Sequence, residues 1–474
     1  MKIVVVGGGF AGLAAAIALQ ERRHDVVLLE RRGVLGGRAT SFRDAVTGED
    51  VDNGTHLMVG AYTATLDLVR RASATDLLDP QDNLRIEWVD EKGTTALDCP
   101  PVDAPLHLLA GLFGLRLPLR VKLQALRLGL AARFGRAPVG LTLAEYFRRT
   151  GQGEAARRLL WDPLALAIIN ESPERSAAVL FHRVYRETFL RDHRASRLVF
   201  LRRGWGVLLE RLARYFEGRG GVLRRGALVE AIELEAGRVS RVRYAQRAQE
   251  REELQAGRGP VPRVEPAEAV ISAVPAHALP PLLPDEWRGR PPFADLGRLG
   301  SSPIVSVEMW LDREVVDRPM LGLRDCEVEW VFDKGRLFGR KGAPQHLAFI
   351  VSAAYRTAPK KNAELVGAAE AALRRYFPAM AEATIERTLV LREPHATFAS
   401  TPETETLRPG PDTDIPGLVL AGDWTDTGLP ATIEGAVRSG RRAAERVETR
   451  AGRGPGAERG SARPPSPSGG DAAP

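Results

Sequence analysis

Three glycines near the start carry the first recognisable chemistry. Gly7, Gly9 and Gly12 are spaced G-x-G-x-x-G, directly after the apolar run Lys2–Val6 and at the head of an Ala- and Leu-rich stretch, residues 10–23. At that spacing the first glycine permits a tight turn. The second lets backbone approach a pyrophosphate, and the third lets helix and strand pack closely. With Phe10 and Ala11 among them, they aim free N–H groups and the positive end of a helix dipole at phosphate oxygens. Glu30 lies 23 residues after Gly7, at the end of a second apolar run. A carboxylate there accepts hydrogen bonds from ribose hydroxyls and disfavours a 2′-phosphate. Arg31 beside it softens that discrimination. Gly36-Gly37-Arg38 then offer a second close backbone approach and a guanidinium for pyrophosphate charge. Strand, helix, strand and terminal Glu together predict a dinucleotide site rather than a bare glycine-rich turn.

Other chemistries have little to stand on. The eight His are isolated, and neither H-E-x-x-H nor C-x-x-C occurs, so no metal site is expected. There is no G-x-S-x-G elbow and no P-loop. Asp162 and Asn170 stand about two helical turns apart. They either face one pocket, or Asp162 caps the helix that begins at Pro163.

The elements that must position these residues read as α/β. Residues 2–6 and 25–30 are buried strands joined by a helix, which requires a right-handed crossover and a parallel sheet. Residues 104–215 read as helical. Two β-like runs flank Ala236-Gly237, residues 245–268 read as a polar excursion, and 269–275 as a buried strand. Residues 303–312 and 346–354 predict a second sheet, 363–377 a helix, 418–421 a strand and 432–447 a final helix. The low-complexity tail, residues 448–474, predicts disorder. Length supports this breadth: 474 residues fit two or three domains.

Composition excludes several classes. Lys+Arg exceed Asp+Glu by 67 to 60, but the Arg are scattered rather than gathered in a stripe, so no nucleic-acid partner is expected. Two Cys, Cys99 and Cys326, cannot form a disulfide framework and favour a reducing compartment. The longest uncharged run falls well short of the ~20 residues of a membrane span, and the N-terminus leaves no room for a signal peptide. A cytoplasmic protein is expected, peripheral at most on the inner face of the membrane. Residues 104–134 are apolar with Arg116, Arg120, Lys122, Arg127 and Arg133 interleaved and no acid. That segment is either a membrane-surface element or a cap helix with solvated Arg.

With the G-x-G-x-x-G, Glu30 and G-G-R pattern, followed by Val51-Asp52-Asn53-Gly54-Thr55-His56, the sequence resembles the FAD-dependent amine oxidase and carotenoid desaturase superfamily. The segment Gly417–Ala444 is similar to that superfamily's second flavin motif. The resemblance implies that Gly422-Asp423 reach the ribityl chain and pyrophosphate, and that Ala431, Thr432 and Ile433 begin a helix aimed at the flavin. It also places Gly54, Thr55 and His56 beside the cofactor, and puts Val229 on the strand that touches adenine through its backbone. It implies a Rossmann-like FAD domain of three segments, 1–95, 200–275 and 415–447. A mixed-sheet and helical substrate domain, 96–199 and 276–414, is inserted between them.

The stretches around Trp161-Asp162-Pro163-Leu164, Asn170 and Pro173-Glu174-Arg175 are similar to the squalene-associated branch, the hydroxysqualene dehydroxylases. Arg203-Gly204-Trp205-Gly206 departs from the Gly-Gly of many relatives. The resemblance implies reduction of hydroxysqualene to squalene in squalene and hopanoid biosynthesis, by hydride transfer from reduced FAD. The partners it implies are an apolar triterpene, a membrane surface and the upstream squalene-pathway enzymes. His56 and Asp52 are the candidate proton donors for the departing hydroxide, and Trp161 and Asn170 the candidate substrate contacts. Two alternatives remain at this point: an oxidative carotenoid desaturase or amine oxidase, and a non-catalytic prenyl-lipid carrier on the same fold.

Overall fold

The computed structural model describes residues 1–246 and 262–451. The first strand, β1 (Lys2–Val6), the helix α1 (Phe10–Glu21) and the second strand, β2 (Asp25–Glu30), form the expected crossover unit. β1 pairs in parallel with β2 on one side and with Ala269–Ser272 on the other. The complete sheet runs 222–225, β2, β1, 269–272, 418–420, all parallel. Its strands are nearly continuous apolar runs because both faces are covered. One face packs on α1 and the last helix, Ile433–Ala451, through Leu13, Ile17, Val437 and Ala444. The other packs on a three-stranded antiparallel sheet, 227–235, 238–246 and 263–266. Strand order reverses beside β1, so a crevice opens at the carboxyl ends of β1 and 269–272, where ligands bind in such sheets.

Two glycines set the spacing of this layer. A Cβ on Gly12 would lie 1.9 Å from the Gly7 carbonyl oxygen, and one on Gly440 would lie 2.1 Å from the Ala11 carbonyl oxygen. The glycine turn and the two crossing helices therefore meet backbone to backbone.

A second sheet has seven strands in the order 385–397, 302–311, 345–351, 330–333, 320–323, 85–90, 93–98. It is antiparallel except where 320–323 runs parallel to 85–90. One face packs on the helix Asn362–Tyr376. The other faces the helical region between residues 106 and 196.

Several expectations change. The hairpin 85–98 belongs to the second sheet, so the expected boundary at residue 95 cuts through a β-strand. The helical reading of 104–215 is interrupted by the strand Leu198–Leu201. Residues 245–246 and 263–266 of the expected excursion are strand, and 247–261 lie outside the described residues. The last helix continues to Ala451, past the expected start of the tail, and 452–474 lie outside the described residues.

The helix Leu119–Phe134 has two apolar faces rather than one. Val121, Ala125, Leu128 and Ala132 are buried, while Leu119, Leu123, Leu130 and Phe134 are exposed. At about 100° per residue the two sets stand half a turn apart. The inner set joins the core, and the outer set forms a ridge flanked by exposed Arg120, Arg127 and Arg133.

Candidate functional site

The crevice beside β1 opens into one continuous cavity of about 1150 Å³. Its nucleotide end is lined by the sequence-predicted residues Gly7, Gly9, Phe10, Ala11, Glu30, Arg31, Gly36, Gly37 and Arg38. Gly54, Thr55, His56, Val229, Gly422, Asp423, Ala431, Thr432 and Ile433 complete that end. Gly12 is the exception: it sits behind the turn, against Gly7. The far end lies between the helical region and the second sheet and is apolar, with Ile86, Trp88, Leu164, Ile168, Met320 and Phe332 in its wall.

The nucleotide end is pre-formed by its own hydrogen bonds. Glu30 Oε2 accepts from Gly8 N at 2.7 Å and Oε1 accepts from Arg32 N at 2.7 Å. The carboxylate thereby fastens the glycine turn to the end of β2. Arg38 donates to Asp423 Oδ1 at 2.6 Å and to the Ala396 carbonyl at 2.9 Å. This ion pair joins the two flavin-like motifs, which lie at opposite ends of the sequence. Between Gly9 and Gly37 the backbone is bare: no heavy atom comes closer than 3.9 Å to a Cβ placed on either. That slot admits a pyrophosphate. The N-termini of α1 and of the last helix both open on the cavity at Phe10 and Ile433, where they favour negative charge. Thr432 Oγ1 accepts from Gly435 N at 3.0 Å and caps the latter helix.

Residues outside the sequence reading complete this region. Glu434 is buried and accepts from Ala64 N and Thr65 N, at 3.0 and 2.9 Å, so the last helix caps the helix Thr63–Arg71. His277 and His395 face each other across the cavity wall, with ring centroids 4.9 Å apart. Burial, with His395 adding to it, lowers the pKa of His277. His277 had one sequence signal: it follows the carboxyl end of the strand 269–272. His395 had none, since it lies on an edge strand whose sequence is mostly polar.

The expected catalytic and substrate residues fare differently. Asp52 does not reach the cavity. Its Oδ1 accepts from Ser41 Oγ at 2.6 Å and Trp205 N at 3.1 Å, and its Oδ2 from Lys334 Nζ at 2.7 Å. Burial pushes the Asp52 pKa up, but Lys334 and the hydrogen bonds outweigh it and hold the group below the usual range. An ionised carboxylate with every oxygen engaged is not a proton donor.

His56 does line the cavity, with its ring against Trp205 at 5.8 Å. Its Nδ1 lies 3.0 Å from the Gly54 carbonyl, which only accepts, so Nδ1 carries the proton and Nε2 is an acceptor. Burial lowers the His56 pKa. His56 therefore presents a lone pair, not the acid expected of it. Trp205, where the sequence departs from Gly-Gly, fills the space between Phe10 and His56 with edge-on ring contacts.

Trp161 is packed away from the cavity against Phe147, Phe181 and Tyr185, and its Nε1 donates to Gln152 at 2.8 Å. It is core, not a substrate contact. Asn170 reaches the cavity wall, but its amide donates to Ser302 O and Thr397 Oγ1 and accepts from Ala353 N. It adopts the left-handed conformation, φ 55°, and ties the end of the helix Asp162–Ile169 to the second sheet. Asp162 neither caps nor faces the cavity; Arg157 binds both its oxygens.

The family model for flavin containing amine oxidoreductases matches residues 10–448. The chain belongs to that family. It is 31% identical to a hydroxysqualene dehydroxylase of Rhodopseudomonas palustris, over 94% of this chain and 97% of that protein. It is 26% identical to a 15-cis-phytoene desaturase of Synechococcus elongatus, over 95% and 96%. In fold it matches an oxidoreductase from Methanosarcina mazei with a TM-score of 0.72 at 16% identity, covering 94% of this chain and all of that one. As a member of this flavin family the chain is an FAD-dependent oxidoreductase, which sets aside the lipid-carrier reading. The bare Gly9–Gly37 slot, the Arg38–Asp423 pair and the two helix N-termini are the groups that would hold the FAD.

Proposed function

We propose that this flavoenzyme reduces a hydroxylated triterpene of the hydroxysqualene type to the hydrocarbon, as a step of squalene and hopanoid synthesis. The observation that carries the reading is the single cavity whose one end is a nucleotide cradle and whose other end is walled by Ile86, Trp88, Leu164, Ile168, Met320 and Phe332. Bound reduced FAD supplies the two electrons and the hydrogen that replace the hydroxyl. The chain's own residues bind the hydrocarbon, exclude water from the reacting carbon and present few polar atoms to it. Burying thirty carbons at ~0.8 kcal/mol each gives roughly 24 kcal/mol of gross transfer energy, which favours entry from a lipid phase over entry from water.

The outer ridge supports that route. Leu106, Phe113, Leu119, Leu123, Leu130 and Phe134 are exposed large apolar residues within one short stretch of the chain, beside exposed Arg116, Arg120, Arg127, Arg133 and Arg136. Apolar side chains flanked by arginines fit an anionic bilayer surface. No helix among the described residues is long and apolar enough to cross a membrane, so the proposed attachment is peripheral, on the cytoplasmic leaflet. Transfer from an upstream enzyme on that surface is part of the same proposal.

The similarity to a phytoene desaturase favours one second reading, oxidative desaturation of a long polyene. Anaerobic incubation with hydroxysqualene and a chemical reductant, followed by mass spectrometry of the lipids, separates the two. Squalene is the expected product. Phytoene or an amine oxidised while hydroxysqualene stays intact would replace this proposal.

A further inference from the structure

Alternate residues of a strand face one side, and on the strand Ser302–Leu311 this aligns Ser306, Glu308 and Trp310. Ser306 lies in the cavity wall, and its hydroxyl donates to Glu308 Oε1 at 2.6 Å. Glu308 Oε2 stands 2.9 Å from His346 Nε2 on the neighbouring strand Gln345–Val351. His346 Nδ1 stands 3.2 Å from Glu49 Oε2, and Glu49 Oε1 accepts from Arg340 at 2.8 Å. The side chains are 2% exposed at Glu308, 3% at His346, 20% at Glu49 and 57% at Arg340. The line thus begins in the cavity and ends in solvent.

A carboxylate flanks each imidazole nitrogen, so both nitrogens donate and the ring is an imidazolium. Burial opposes that charge, but the hydrogen bonds the ring donates to Glu308 and Glu49 outweigh it and hold the His346 pKa above its ordinary value. Trp310 stacks on the ring at 4.1 Å and donates to Glu49 at 2.9 Å, which fixes the orientation. The other charges facing the group are paired off. Lys334 is neutralised by Asp52, and Arg387, over the Trp310 ring, is neutralised by Asp44.

We propose that Ser306, Glu308, His346 and Glu49 form a proton conduit from solvent to the cavity. The inference rests on the proposed reduction, which requires one proton for the departing oxygen. The substrate C–O bond breaks and its electron pair leaves with oxygen. His346 Nε2 passes its proton to Glu308, whose carboxyl then donates to Ser306 Oγ. The Ser306 O–H turns from Glu308 to the departing oxygen and gives it its proton in the same step, so that the oxygen departs as water. Solvent restores the imidazolium at the Glu49 end. The carbon is reduced and the reduced flavin is oxidised.

The test compares Ser306→Ala and His346→Gln holoenzymes with the parent protein on hydroxysqualene plus reductant. Flavin absorbance reports that the site is intact. Ser306→Ala is expected to lower kcat by about a hundredfold, in the range of a lost general acid, with KM unchanged. In the parent protein kcat falls as pH rises through the His346 pKa, and His346→Gln is expected to remove that alkaline limb. A second measurement does not use turnover: imidazole 15N resonances should show His346 titrating above the ordinary histidine range, and the midpoint should fall in Glu308→Gln. Parent-like kcat in Ser306→Ala, an unmoved alkaline limb, or a His346 already neutral at pH 6 would overturn the conduit. If the parent protein ignores hydroxysqualene but desaturates a polyene, the substrate reading fails alone. The same variants are then run on the polyene, where a proton leaves by the same line, and an unchanged kcat there overturns the conduit.

Discussion

The most exposed decisions of this molecule are made by single charged side chains. Asp52 and Lys334 are both nearly fully buried and satisfy each other. Asp52→Ala leaves an ammonium unpaired in the interior and is expected to cost about 3–5 kcal/mol in denaturant unfolding. The double replacement of both partners by apolar residues should recover most of that. Glu49 gives a pH prediction. Its hydrogen bond to His346, with those of Trp310 and Arg340, holds its pKa at about 2 against an ordinary 4.5. A folded pKa below the unfolded one contributes stability that is present above pH 4.5 and lost as pH falls toward 2. Unfolding free energy should therefore decline through that acid window, and the decline should be shallower in Glu49→Gln. Arg38 holds the two halves of the nucleotide cradle through Asp423. Arg38→Ala is expected to raise the Kd for FAD by about tenfold or more, read by flavin fluorescence, because a buried charge loses its partner and the pyrophosphate its cation.

At the scale of elements, close approach does what side chains do elsewhere. Gly440 brings the last helix against the backbone of α1, and no flexible neighbour stands in the way of an added Cβ. Gly440→Ala should push the helices apart and cost about 1–3 kcal/mol by overpacking, seen as a lower Tm and less flavin per protein. Elements also explain what was legible in the sequence. The buried parallel strands β1, β2 and 269–272 were readable because continuous apolar runs of that length have few other uses. The turn at Ala236-Gly237 was readable through Gly237, a residue suited to the positive φ of 76° it adopts; Ala236, at φ 49°, gave no such signal. The strand Ile385–Thr397 was not, because it lies at a sheet edge, where Pro394 and several charges are tolerated. The glycine and acidic cofactor residues were legible since their roles depend on backbone spacing. Asp52 was misread because its role depends on a partner far away in sequence, Lys334, and Trp161 because Phe181 and Tyr185 enclose its ring; the tie of Asn170 to Ser302 was not legible for the same reason of distance.

At the scale of the whole molecule, apolar surface is unevenly shared. The helix Leu119–Phe134 carries one apolar ridge inward and another outward. Replacing Leu123 and Phe134 by Glu should sharply reduce co-sedimentation with anionic vesicles while flavin absorbance and Tm stay close to those of the parent protein, since neither side chain is part of the core. Raising salt should weaken the parent protein's binding too, because the flanking arginines act through screened charge.

The clasp between Arg38 and Asp423 also sets a schedule for synthesis. The second neighbour of β1 is not made until residue 269, and the edge beyond it waits for residue 418. A nascent chain therefore carries an open-sided glycine turn for most of its time on the ribosome, although domains ordinarily fold from the N-terminus as they emerge. The vitamin-derived cofactor has nowhere secure to bind until almost the last helix is delivered. Chains interrupted before Gly422 should accumulate colourless, unassembled and dependent on chaperones.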